Sequence, residues 1–182
     1  MKIKFYVENV PKIERVVATF STDEKGVSLL DQRWTALAPY GMHYSAFLLH
    51  NPHIGQHGDR FETTDKPCGI KHVLFLKLQE RRINNAALTV SAAVSWAAGH
   101  QWEIVEIPLI AVSKKEDIVD RENEDALTMI KALRETWRKE QDNPLELYVR
   151  FKADHEFARI IFLNSEFDQV RWDGSGFVPV YA

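Results

Sequence analysis

Five of the seven histidines in this 182-residue chain, His43, His50, His53, His57 and His72, fall between positions 43 and 72. Asp59, Glu62, Asp65 and Cys68 lie among them. Imidazole is a common metal ligand and the side chain best poised to move a proton near neutral pH. The spacing His50-x-x-His53-x-x-x-His57-x-Asp59 offers four donors to a divalent transition metal of the zinc or iron type, with glycines between them to let the backbone wrap. A metal-activated water held there would make a hydrolase. Against that, Gly55 and Gly58 oppose the helix that would align His53 with His57, and no HExxH or CxxC pattern is present. The same residues with Arg60 and Phe61 also suit a recognition loop, so His50, His53, His57, Asp59, Arg60 and Phe61 are the binding candidates. No cofactor is expected, the transition metal belonging to the hydrolase alternative alone.

Other reactive residues are less organised. Cys68 has Lys66 beside it to favour the thiolate and His72 near in sequence, but no third orienting group. Ser45 and Ser175 lie outside any G-x-S-x-G setting, and neither GxxxxGK[ST] nor GxGxxG occurs. Lys131, Arg134, Arg138 and Lys139 surround Trp137, yet Glu135 and Glu140 interrupt them, so they read as a solvated helix face. Trp34 and Trp172 are candidate exposed anchors at an interface, where aromatics are enriched.

These residues need a scaffold, and composition bounds it. With 45% hydrophobic and 27% charged residues the chain is an ordinary globular one, which excludes wholesale disorder. A net charge of -3 argues against coating nucleic acid or anionic membrane. The lone Cys68 allows no internal disulfide and suits a reducing compartment. The amino terminus lacks the apolar core of a signal peptide, and no run approaches the roughly 18 apolar residues of a membrane span.

The longest apolar stretch, 70–112, divides into 70–79, 86–98 and 102–112. The middle segment decides the fold class. As a strand it sets Leu88, Val90, Val94 and Trp96 on one face and small or polar residues on the other. As a helix it has Asn85 for an N-cap and Gly99 for its C′ residue. The strand is preferred, because a helix would place Leu88 between Ser91 and Ser95. Residues 3–7 and 13–20 read as strands able to pair as a hairpin, and 50–69 as a long loop. Ser113-x-x-Glu116 is a capping box opening a helix whose stripe is Ala126, Ile130, Leu133 and Trp137. That helix breaks near Arg121-Glu122-Asn123 and ends before Asn143-Pro144. Leu145, Leu147, Val149 and Phe151 alternate with polar residues as a half-buried strand, and a hairpin closes around 173–176. Pro108 and Pro179 cannot donate to a ladder and suit edges or bulges.

The expected architecture is α+β, a mostly antiparallel sheet with one face covered by one long, possibly broken helix, in a single domain over 1–182. The expected function is a non-enzymatic cytoplasmic protein-binding module of the inhibitor, immunity or adaptor type, acting through sheet edges and the 50–69 loop. The metal-dependent hydrolase is the alternative, and a nucleic-acid-associated protein using Lys131, Arg134 and Arg138 a second. The expected partner is another protein, a further copy of the chain included, with nucleic acid disfavoured and no membrane.

Overall fold

The computed structural model describes residues 1–21, 60–63, 66–77, 85–109, 118–151, 166–167 and 170–180. Two compact units divide the chain: Met1–Pro11 with Ala86–Ala182, and Lys12–Asn85. The first holds strands β1 (Lys2–Val7), β5 (Ile104–Pro108), β6 (Glu146–Phe151), β7 (Val170–Trp172) and β8 (Phe177–Pro179), with helices α1 (Asn85–His100) and α2 (Ile118–Lys139). The second holds β2 (Arg15–Ser21), β3 (Arg60–Glu62) and β4 (Ile70–Lys77).

In the first unit the strand order is β5-β6-β1-β8-β7. β1 runs parallel to β6 from Lys2↔Glu146 to Val7↔Phe151, and β5 parallel to β6 from Ile104↔Glu146 to Pro108↔Arg150. β8 meets β1 antiparallel at Phe5↔Phe177 and pairs with β7 as a hairpin. In the second unit β2 is parallel to β4, and β3 adds antiparallel to β4. Each antiparallel pairing among the described residues involves a strand of three residues, while the long pairings are parallel. The fold is therefore mixed, mostly parallel α/β with two α-helices among the described residues, and the expectation of an antiparallel sheet under one helix is corrected.

Burial explains the error. Alternation marks a half-solvated strand only where the polar face meets water, and parallel strands are flanked on both faces. Ile3, Phe5, Val105, Ile107, Leu147, Val149 and Phe151 form the apolar face. On the other face Tyr6, Tyr148, Glu106 and Arg150 are buried as well, so β6 is covered on both sides rather than half-buried. α2 contributes Met129, Ile130, Leu133 and Trp137 to the core. Phe167 bridges helix and sheet, its ring 5.8 Å from Phe5 and 5.5 Å from Trp137, both edge-on. Each such buried side chain is worth about 1.5–3 kcal/mol over an exposed one.

α1 overturns the strand reading of 86–98. Val90 and Val94 share a face under either period, so they do not discriminate. Ala93 and Ala97 do: both are buried, although a strand would turn them to the face opposite the valines. Ser91, Ser95 and Ala98 point outward, as a 3.6-residue period demands. Gly99 lies inside the helix, and the C′ position falls to Gln101, at φ 56. The Trp102 N–H donates to the Ala97 carbonyl at 3.0 Å and the Gln101 N–H to Ala98 at 3.4 Å, a Schellman closure.

α2 runs unbroken through Arg121-Glu122-Asn123, correcting the expected interruption, and stops ahead of Pro144 as expected. The 113–116 capping box lies outside the described residues. β1 and β2 do not form a hairpin; β1 pairs with β6 and β8, and β2 with β4. Pro108 and Pro179 close β5 and β8 at their carboxyl ends.

Candidate functional site

Parallel strands direct their carboxyl ends the same way, and in open α/β sheets ligands bind in the crevice outside those ends. In the first unit the ends are Val7 of β1, Pro108 of β5 and Phe151 of β6. Backbone hydrogen bonds fix their exits. The Glu8 N–H donates to the Phe151 carbonyl at 2.8 Å, and the Leu109 N–H to the Arg150 carbonyl at 2.8 Å. Glu8 takes φ 59, and the Asn9 N–H turns back to the Val7 carbonyl at 2.6 Å, leaving Asn9 exposed at this edge.

Beneath this edge lies a buried polar face. Register pairs Lys4 with Tyr148, Tyr6 with Arg150, and Glu106 with Tyr148, so these side chains share one side of the sheet. Arg150, 3% exposed, places Nε 3.7 Å from Oε2 of Glu106, 1% exposed. The Tyr6 and Tyr148 rings meet edge-on at 5.1 Å. The Tyr148 hydroxyl donates to Glu146 at 3.1 Å. Burial above all, with Tyr6 and Glu146 adding to it, pushes that hydroxyl far above its ordinary value and keeps it protonated. Lys4 sits 5.3 Å above the Tyr6 ring and 2.5 Å from Asp173. Desolvation depresses the Lys4 ammonium, but the Asp173 hydrogen bond and Tyr6 outweigh it, so its affinity for the proton is raised.

In the second unit the carboxyl ends are Ser21 of β2 and Lys77 of β4. At the opposite ends Arg15, buried, donates to the carbonyls of Ile13 at 2.9 Å and Cys68 at 2.7 Å. Gly69, at φ 82, lies so close to Ile13 that a Cβ would fall 2.4 Å from its carbonyl oxygen.

The sequence candidates fare unequally. His43, His50, His53, His57 and Asp59 lie outside the described residues, as do Ser45, Trp34 and Asp65. Arg60 is exposed at the start of β3 opposite Leu74, and Phe61 stands opposite Val73. His72 is half-buried within β4, opposite Glu62. Cys68 is half-buried in a 3-10 turn at φ 52, its carbonyl serving Arg15. Among the described residues no group of three histidine, cysteine or acidic side chains converges as a metal site. Lys131 and Arg134 both turn to Glu166, at 3.9 and 3.2 Å. Trp172 is 56% exposed. Ser175 occupies the β7–β8 turn, as its glycine flanks suggest.

Sequence reasoning missed Glu106 and Arg150. The polar positions of β6 were visible as an alternation, but alternation is also what a solvated face produces. Only burial on both sides separates the two.

No family model matches the chain, and no curated protein does. Among the described residues no helix is long and apolar enough to cross a membrane. Solved structures do match. The macrodomain of Thermus aquaticus DarG superposes with TM-score 0.50 at 12% identity, covering 81% of this chain and 97% of that one. The Oceanobacillus iheyensis macrodomain with MES bound gives TM-score 0.54 at 11% identity, over 91% and 95%. A point mutant of the same macrodomain gives 0.54 at 9% identity, over 91% and 96%. Identity this low speaks for the fold alone. These matching structures are macrodomains, and this overturns the expected inhibitor, immunity or adaptor module. The chain has a macrodomain-like α/β fold.

Proposed function

We propose that this chain is a small-ligand-binding module of the macrodomain type, one domain acting in the cytoplasm, with its ligand at the carboxyl ends of the parallel strands. The ligand class associated with that fold is ADP-ribose. The observation that carries the reading is the β5-β6-β1 run, whose parallel registers bring three carboxyl ends to one edge in a macrodomain-like scaffold. Asn9 and the backbone exits at Glu8 and Leu109 are the groups that this edge presents. His50, His53, His57 and Asp59 precede Arg60 and Phe61 of β3 in the sequence, and we assign these six to a separate binding role of the second unit.

Titration calorimetry and thermal shift with ADP-ribose, ADP and AMP test the reading. A ligand at about 100 times its Kd stabilises the folded state by about 2.7 kcal/mol, a readable shift. The expected result is a saturable shift with ADP-ribose, weakened by Asn9→Ala and unaffected by chelator. Flat titrations with all three at millimolar concentration overturn it.

A further inference from the structure

We infer that two copies of this chain associate by antiparallel pairing of β7 with β7 about a two-fold axis through Trp172. β7 ends the strand run of the first unit, and Trp172 is the one large hydrophobic side chain exposed among the described residues. The hairpin register dictates which backbone groups are available. The Asp173 N–H donates to the Gly176 carbonyl at 3.0 Å, making 173/176 a hydrogen-bonded pair. Antiparallel pairs alternate, so Trp172↔Phe177 is a non-bonded pair, and the Trp172 N–H and carbonyl face away from β8. Those two groups are what a second strand needs.

The flanking charges select the occupant. Arg171 precedes Trp172 and Asp173 follows it, both exposed. Antiparallel pairing centred on Trp172 sets Arg171 of each copy opposite Asp173 of the other, twice, by symmetry alone. A strand reading Arg-Trp-Asp is thus complementary to itself. Asp173 is held ready for this: its carboxylate accepts the Ser175 and Gly176 N–H groups at 3.0 and 3.1 Å and pairs with Lys4 at 2.5 Å. Trp172 lies against Phe177 edge-on at 5.1 Å, so the two symmetry-related indoles would meet on the same face of the joined strands. Three residues make a small contact, so the association is weak, and short charged edge strands ordinarily resist pairing. This contact is independent of the ligand edge, and its failure would leave the ligand reading untouched.

Sedimentation and light scattering from about 1 µM to about 1 mM cover the range a contact of this size requires. A dimer forming within that range is expected. Arg171→Glu, which sets like charges opposite each other at both ends, should weaken it about tenfold or more. Because Arg171 is exposed, the variant should keep the wild-type circular dichroism and melting temperature. Trp172 amide exchange should slow as the wild-type concentration rises. A chain monomeric throughout, or a dimer indifferent to Arg171→Glu, overturns the inference.

Discussion

Glu106→Gln removes one charge of the buried pair while keeping the shape of the side chain. At the 3.7 Å separation, an effective dielectric of about 20 gives an attraction of about 4–5 kcal/mol between Glu106 and Arg150. The variant loses that attraction but keeps the cost of burying the Arg150 guanidinium, which is 3% exposed and cannot turn to water. Breaking a buried pair from one side typically costs about 3–5 kcal/mol, a large part of the roughly 5–15 kcal/mol that holds a domain folded. Urea denaturation of Glu106→Gln should show a loss in that range, with a melting point about 10 °C lower. The double variant Glu106→Leu/Arg150→Met removes both charges and fills the space with apolar atoms. It should recover to within about 1 kcal/mol of the wild type. A single variant that loses less than about 1 kcal/mol, or a double variant no better than the single, refutes the view that the two charges stabilise each other.

Asp173 should make stability fall in acid. Its carboxyl is held well below the ordinary value of 3.8, first by the Lys4 hydrogen bond, which outweighs the opposing desolvation, with the Ser175 and Gly176 N–H groups adding to it. A depressed carboxylate contributes stability that is fully present above about pH 4 and is lost as pH falls below it. Asp173→Asn should flatten that acid slope and cost only about 1 kcal/mol at pH 7, the pair being part-exposed; an unchanged slope rejects the assignment. Gly69→Ala combines a positive φ with a 2.4 Å approach to Ile13, and should destabilise by more than about 2 kcal/mol in chemical denaturation. Gln101→Gly relieves the left-handed C′ residue of α1 and should stabilise by about 0.5–1 kcal/mol, read as a raised melting point.

Local signals in the sequence located most strands. β1, β2, β4, β5, β6 and the β7–β8 hairpin all overlap the segments that propensity and turn chemistry mark out, β1 and β2 each reaching one residue beyond. The partners did not follow, because pairing is a long-range property. Residues 3–7 and 13–20 look like a hairpin, yet residue 2 finds its neighbour at 146. α1 shows a different limit. Valines four apart fit a strand face and a helix face equally, and only the burial of Ala93 and Ala97 decides between them. Within the helix alternative Gly99 is the C′ candidate on chemistry alone, whereas the chain sustains the helix through the glycine and places Gln101 at positive φ instead. Of the candidate site, Arg60 and Phe61 fall on β3, beside β4. The carboxyl-end edge was invisible because strand direction is not written in composition.

The position of β1 between β6 and β8 has a consequence for how the molecule is made. β1 is synthesised long before the two strands that flank it, β6 and β8. As the ribosome advances, both backbone edges of β1 stay unpaired until residues 146–151 and 177 have emerged. Such distant pairings fold slowly, and the waiting strand is open to capture by other chains. Chaperone demand during synthesis, and insolubility of fragments ending before residue 146, follow from that delay.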